Sequence, residues 1–456
     1  MKKLWSKTQG EESDISRLIH EFTAGEDRHW DLRLAEFDIR GSIAHVNMLA
    51  KTGLISEEDR RVLLPEMEAL LEKVKAGEFS IEEGMEDVHS QVEFLLTEKL
   101  GESGKKIHAA RSRNDQVLVD MKLYLKSELL AIHQMVQEFA TLLLELSEKN
   151  KEVLLPGYTH YQVAMPSSFG LWFASWSECL AEDLWNVHAA VKLIDKNPLG
   201  SAAGYGSSFP IDREMTTKEL GFSDLHWNVV NAQMSRGRSE KAMAVAMSAL
   251  AFTLGKMSQD MVLYLSQNFA FVRFPDTYTT GSSIMPHKKN PDVFELIRAR
   301  CNRLINLPNQ LSLIQANLSS GYHRDWQLFK EALFPAIDDI KACFQMATEM
   351  MKAIEVQDNL TGNELYRYLF TVEAVNQKVL DGFSFREAYR EVGMDVEAGK
   401  FEWNEALNHT HQGSIGNLRN EEIVRQLREV RDAIGQIQNL ESLGPEGPSD
   451  ILSRSK

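Results

Sequence analysis

The sequence predicts an all-α protein in which a long central helical bundle is flanked by two smaller helical domains. Three observations carry that prediction. From Lys105 to Leu155 there is neither glycine nor proline, and apolar residues recur at helical spacing: Leu118, Met121, Leu125, Leu129, Ile132, Val136, Phe139, Leu143 and Leu146. The same pattern holds from Arg238 to Phe274, interrupted only by Gly255, and again from Ala336 to Thr361. Alternating β-branched runs are few. Helices this long fit a bundle whose members run the length of a molecule.

The flanks read differently. Residues 1–110 carry shorter amphipathic pieces, such as Glu57 to Lys75, and form the expected N-terminal helical domain. The bundle takes residues 111–361. In residues 362–456 the pattern shortens again, punctuated by Gly382, Gly393, Gly399, Gly413 and Gly416. The segment from Leu443 to Ser449, rich in Gly and Pro, is expected to be a poorly ordered tail. No internal repeat stands out.

A chain of 456 residues is long enough for two or three domains and a large core. Its apolar and charged fractions, 43% and 25%, are those of an ordinary soluble protein. The net charge of −16 argues against a nucleic-acid partner, because phosphates want a basic face. Any anionic substrate then requires positive charge to be gathered locally, around Lys288 and around Arg111-Ser112-Arg113. Cys179, Cys301 and Cys343 are odd in number and far apart, with neither metal spacing nor a disulfide framework, which suits a reducing cytoplasm. The first residues, MKKLWSKTQGEESD, have no apolar run behind the lysines, so no signal peptide is expected. The most apolar window, Ala242 to Leu254, is too short to span a bilayer, and no membrane partner is expected.

The most distinctive segment is Gly281-Ser282-Ser283-Ile284-Met285-Pro286-His287-Lys288-Lys289-Asn290-Pro291. It is a poor recipe for a packed core. It reads either as a solvated connection or as a loop that meets an anion. Asn290-Pro291-Asp292 predicts a helix start, with Asn290 as N-cap and Pro291 at the first helical position. Lys288 would then stand beside the positive end of the helix dipole. The string resembles the signature of the fumarase/aspartase superfamily, Gly-Ser-Ser-x-Met-Pro-x-Lys-x-Asn-Pro. Members cleave C–N or C–O bonds of succinyl compounds and release fumarate. Removing a proton next to an ionised carboxylate builds a dianion, so cations and N–H donors are needed where that charge develops. Lys288 and the Gly-Ser-Ser amides are of that kind. The resemblance marks Ser282 as catalytic, a weak base that needs cationic surroundings to act.

A second segment, Pro156-Gly157-Tyr158-Thr159-His160-Tyr161-Gln162-Val163-Ala164-Met165-Pro166, is by itself only a Thr-His pair in a loop. It resembles the Gly-Tyr-Thr-His-x-Gln-x-Ala-x-Pro stretch of the argininosuccinate lyase family. The resemblance implies that Thr159 binds a substrate carboxylate with Gln162 close by. His160 is implied as an acid/base group, with Glu295 orienting it. Glu295 reads equally as an ordinary first-turn acid.

A third segment, Lys106-Ile107-His108-Ala109-Ala110-Arg111-Ser112-Arg113-Asn114-Asp115-Gln116, suits either a carboxylate clamp or a charged N-cap turn. Arg-Ser-Arg-Asn-Asp-Gln resembles the same family's fingerprint, which implies substrate contacts from Ser112, Arg113 and Asn114. The family usually has Thr-Gly or Ser-Gly where Ala109-Ala110 stand. A fourth segment, Gly321 to Glu331, is an amphipathic helix start with Trp326 and Phe329 inward. It also resembles the family's Tyr-x-Arg-Asp-x-Gln-x-x-Lys stretch, implying that Tyr322, Gln327 and Lys330 read the arginine half of the substrate. Leu328-Phe329 replace a common acidic pair. Glu86-Asp87-Val88-His89 adds His89 as support for the carboxylate site, and Arg236 aligns with an arginine near the substrate. Where Asp27 stands, many members have a substrate-contacting serine, a role an acid does not inherit.

The resemblance, from about Leu4 to about Gly416, implies a fumarase/aspartase-like fold and a homotetramer with sites shared between subunits. It implies anti β-elimination of argininosuccinate to arginine and fumarate, the last step of arginine biosynthesis. Ser282 is read as the base and His160 as the acid, with the reverse open. Lys288 and Asn290 would hold the carboxylate that becomes part of fumarate. Neither metal nor organic cofactor is expected, since the substrate's own carboxylate is the electron sink. Two alternatives stand beside it. A sister fumarate-releasing lyase should lack Arg-Ser-Arg-Asn-Asp-Gln. A non-catalytic, crystallin-like relative should have lost His160, Ser282 or Lys288, and all three are present.

Overall fold

Long helices from the middle of the chain set the architecture of the computed structural model, which describes residues 14–82 and 84–438. The first hundred residues form α1 (Asp14–Ala24), α2 (Asp27–Asp31), α3 (Ala35–Lys51), α4 (Glu57–Lys75), α5 (Val88–Leu100) and the one-turn α6 (Glu102–Lys105). Then come α7 (Arg113–Lys149), α8 (Phe169–Ile194), α9 (Arg213–Glu219), α10 (Val229–Met234), α11 (Arg238–Tyr264), α12 (Asp292–Ile305), α13 (Leu307–Ile314) and α14 (Leu328–Lys352). The last are α15 (Thr371–Leu380), α16 (Phe385–Glu397) and α17 (Asn420–Gln438).

α7 shows why the bundle forms. Ser112 caps its N-terminus in a reciprocal box with Asp115, and no glycine or proline follows until Asn150 closes the last turn. The helix runs 37 residues, roughly 55 Å at 1.5 Å per residue. It packs on α8, α14 and α3, while α11 packs on α8 and α12. Phe139, Phe173, Met247, Phe329 and Phe344 lie in the resulting core, each 0–1% exposed. By length and composition α7 passes the test for a membrane-crossing helix, yet its apolar stripe is spent on this core. A second apolar cluster joins α3, α4 and α5 through Ile39, Leu49, Leu63, Met67 and Val92. A third, small one joins Val375, Ala388, Val392 and Phe401. α17 lies against α8, and its Leu427 and Val430 belong to the central core.

Several helix limits differ from the sequence reading, and α7 itself occupies only Arg113–Lys149 of the stretch from Lys105 to Leu155. α14 begins at Leu328, eight residues before Ala336, and runs through Pro335. That proline removes one helical hydrogen bond, at a cost of about 3 kcal/mol. The buried face of Phe329, Leu333, Phe334, Ile337 and Ile340 outweighs it. α11 stops at Tyr264, short of Phe274, and α14 stops at Lys352, short of Thr361. Beyond each stop the chain doubles back into a strand, β5 (Val272–Arg273) against β8 (Glu355–Val356).

Among the described residues the fold is all-α apart from four two-stranded pairs. β1 (Leu154–Thr159) and β2 (Gln162–Ser168) form an antiparallel hairpin. β3 (Lys196–Asn197) pairs with β4 (Asp224–Leu225), and β6 (Thr280–Gly281) with β7 (Lys289–Asn290). The segment from Leu443 to Ser449 and the first thirteen residues, on which the expectations of a loose tail and no signal peptide fell, lie outside the described residues.

Ala110 stands just before α7 with φ +60 and is buried. Its neighbour Ala109 accepts a hydrogen bond from His45 Nε2 at 2.8 Å. A side chain at that φ costs about 1–2 kcal/mol, partly offset because glycine loses more entropy on folding. Ala110→Gly is therefore expected to stabilise the protein by about 0.5 kcal/mol. Urea unfolding of the two proteins checks this; a lower midpoint for the glycine variant would contradict it.

Candidate active site

A cavity of about 220 Å³ opens where the N-terminal ends of α2, α5, α7 and α11 approach the turn before α14. Seven expected residues line it: His89, Arg113, Asn114, Arg236, Tyr322, Gln327 and Lys330. Local structure explains their convergence. Arg113 and Asn114 are the first residues of α7, held by the Ser112 cap. Arg236 precedes Gly237, whose φ of +77 starts α11; a Cβ there would collide with Gln315. Trp326 and Phe329 are buried as expected, and they fix the turn that carries Tyr322, Gln327 and Lys330. The Tyr322 ring meets the Trp326 ring edge-on at 6.0 Å. Gln327 donates its amide to the Thr23 carbonyl at 3.0 Å.

The expectation of concentrated positive charge needs correction, because every cation lining the cavity faces an acid. Lys330, 4% exposed, lies 2.8 Å from Asp27 and 2.5 Å from Asp31. Arg113 meets Asp87 at 3.0 Å, Glu86 at 3.5 Å and Ser90 Oγ at 2.8 Å. Arg324 meets Glu86 at 3.0 Å, and Arg236 pairs with Glu240 at 2.8 Å. The reason is desolvation: a cation kept in a cleft without a counter-charge is expensive. Asp27, excluded by the sequence reading, thus stands in the cavity. Its spacing from Asp31, one helical turn, was the available signal.

These pairs shift titration. Burial raises the Asp27 carboxyl to about 6, although Lys330 pulls the other way. Burial also disfavours charge on Asp87, but His89, Arg113 and Ser90 outweigh it and hold that carboxyl low. For Lys330, burial is overcome by Asp31 and Asp27, which raise its pKa.

His89 is more deeply set than the sequence suggested. Its Nδ1 lies 2.9 Å from Asp38 and 3.5 Å from Asp120, both fully buried. Burial opposes the charged ring, but Asp38, Asp87 and Asp120 push its pKa up to about 9. Asp31, Asp38 and Asp120 escaped the sequence reading, since no motif marks them.

The remaining candidates do not line this cavity. Thr159 pairs with Gln162 across the β1–β2 hairpin, leaving His160 and Tyr161 as its two-residue tip. Their φ values, +53 and +58, carry the signature of a type I′ turn, normally built from Asn-Gly. The segment expected to be a loop is therefore a hairpin with two strained residues at an exposed end, and such strain favours a functional site. Ser282 and Lys288 sit in the exposed loop between β6 and β7. Ser282 Oγ accepts the backbone N–H of Ile284 at 3.3 Å and of Met285 at 3.1 Å.

Asn290 is not an N-cap. Its backbone belongs to β7, opposite Thr280, so α12 starts at Asp292 after Pro291, with no side-chain cap. Glu295 is exposed in the first turn of that helix. Ser112 spends its hydroxyl on the Asn114 N–H, at 3.3 Å, as the cap of α7. One chain therefore divides the candidates into a charged cavity and two exposed tips.

A family model described as Lyase matches residues 14–305. An argininosuccinate lyase of Parabacteroides distasonis is 52% identical over 94% of this chain and 95% of its own. One of Phocaeicola vulgatus is 51% identical over 94% of this chain and 96% of its own. Among solved structures, an EDDS lyase in complex with formate superposes with a TM-score of 0.72 at 19% identity, covering 94% of this chain and 97% of that one. That last likeness speaks for the fold alone. The full-length identity to the first two, together with the matched lyase model, means that this chain belongs to the argininosuccinate lyase family of carbon–nitrogen lyases.

Proposed function

We propose that the cavity is one part of a composite active site for the β-elimination of argininosuccinate to arginine and fumarate. The observation that carries it is the convergence of Arg113, Asn114, Arg236, Tyr322, Gln327 and Lys330 on one cavity. Three sequence-distant segments supply the groups that an amino acid and a dicarboxylate need. Arg113 and Asn114 bind the succinyl end, where a guanidinium fork matches a carboxylate. Tyr322, Gln327 and Lys330 bind the arginine half. Acids already present keep these cations in place, and the substrate's carboxylates exchange for them.

Ser282 takes the proton from the succinyl Cβ. An oxygen that accepts two backbone amides, as Ser282 Oγ does, is one whose anion is favoured. The electron pair moves into the adjacent carboxylate, which Lys288 and Asn290 stabilise. The C–N bond then breaks with formation of the fumarate double bond. His160, held on the strained hairpin tip with Thr159 and Gln162 beside it, gives a proton to the departing guanidine nitrogen, and Glu295 supports its charge.

Within one chain Ser282 and His160 do not line the cavity, so the site is completed by other copies of this chain in a homotetramer. Apolar side chains left exposed on the bundle, Trp185, Leu193, Phe252 and Leu296 among them, support that assembly. Three free cysteines suit a cytoplasmic setting. The three apolar clusters support a division at 110 and 361, with α17 returning to the bundle. The test is complementation. Arg113→Ala and Ser282→Ala homotetramers should each be inactive in fumarate release. Mixed by co-expression, they should regain activity, because some sites draw both intact residues from different subunits. No recovery from well-formed mixed tetramers would overturn the composite site.

A further inference from the structure

We propose that Asp38 and Asp120 are positioning residues: they hold His89 as an imidazolium of fixed orientation on the floor of the cavity, where its other ring nitrogen meets a substrate carboxylate. The inference rests on the reading of the cavity given above. Three helices converge on this one ring. His89 comes from α5, Asp38 from α3 and Asp120 from α7. Asp38 holds Nδ1 at 2.9 Å and is itself fixed by Gln116, whose amide donates to it at 2.6 Å. Nε2 has no hydrogen-bond partner among the described residues, and the ring lines the cavity.

The arrangement is costly, which argues for a use. Asp38 Oδ2 and both Asp120 oxygens are buried without a hydrogen-bond partner. Unpaired buried carboxylates are tolerated only beside cations. Arg111, buried and bonded to Ser42 at 2.9 Å, supplies one, and His89 the other. Asp120 is pushed well up by burial and by Asp38, so Asp38 carries the counter-charge. Asp87 also acts on this ring and His108 feels it, while Arg113 acts on Asp87. The three atoms lie within 4.8 Å of one another, and the 2.9 Å contact of Nδ1 with Asp38 suits a shared proton.

The experiment uses the intact enzyme labelled with 13C at histidine Cε1, the His89 signal being assigned by its loss in His89→Gln. It is paired with calorimetric binding of succinate at pH 5.5 and 8. His89 should remain charged at pH 8, and a neutral ring there would overturn the proposal. Asp38→Asn should weaken succinate about tenfold at pH 8, where an ordinary imidazole is neutral, and less than twofold at pH 5.5. In the His89→Gln background Asp38→Asn should cost nothing further. Equal loss at both pH values, additive loss, or a stoichiometric metal in the purified protein would each overturn it. If Asp38→Asn does not fold, Asp120→Asn is read by the same criteria. Loss of argininosuccinate turnover by the wild type would instead count against the proposed function, leaving the histidine spectrum to judge His89.

Discussion

Ser282→Ala is expected to lower argininosuccinate turnover about a thousandfold or more, with no loss of folded, assembled protein. Both halves of that result follow from the loop. The Ser282 side chain contributes little to the fold. It sits in a surface loop, and among the described residues it bonds to the Ile284 and Met285 amides alone. Losing two exposed hydrogen bonds costs about 1 kcal/mol at most where water replaces them. The proposed chemistry, by contrast, would lose its base altogether. Turnover is measured by fumarate absorbance, assembly by size-exclusion chromatography and stability by urea unfolding. Activity within tenfold of wild type would remove Ser282 from the mechanism. An unfolded variant would show that the turn is structural.

Lys330→Met should fail in the opposite way, by damaging stability and binding together. Lys330 is nearly inaccessible and balances two acids, Asp27 and Asp31. Removing one partner of a buried ion pair costs about 3–5 kcal/mol, because the other charge is left unpaired. The pH dependence distinguishes this from lost packing. Asp27 has a folded-state pKa of about 6 against an ordinary 3.8. A raised carboxyl of this kind contributes its stability fully below 3.8 and loses it as pH rises through 6. Without Lys330 the folded value moves higher still. The variant's deficit should therefore be large at pH 8, smaller at pH 5, and partly repaired by adding Asp31→Asn. A deficit equal at both pH values, or unrepaired by the second substitution, would rule out the charge argument.

Much of the candidate site was legible because its residues lie in short strings whose chemistry is local. Arg113-Asn114, the turn from Tyr322 to Lys330, and Gly281 to Pro291 could be picked out with their residue types intact. What the strings could not show is which groups face them. Lys330 finds Asp27 and Asp31 about three hundred residues away in sequence. His89 finds Asp38 and Asp120 on two other helices. Nothing in a local pattern says that a given acid on an amphipathic helix will be buried against a given cation. The hairpin at His160 was missed for a related reason: its strands lack the alternation that marks a half-buried sheet, and its turn lacks the usual Asn-Gly. Pro335 misled in the other direction, since local propensity said stop and a buried apolar face carried the helix through.

The sequence by itself determined the helical class, the long bundle and the segments proposed to bear the chemistry, because helical periodicity, punctuation by glycine and proline, and motif composition are properties of neighbours along the chain. Only the tertiary structure decided how charge is arranged. It paired each cation of the cavity with an acid and sank His89 between two carboxylates. It also held Ser282 and His160 on exposed tips, away from that cavity. The physical reason is desolvation: what a buried charge costs depends on what the fold brings to within a few ångströms of it, and that is a property of space, not of sequence order.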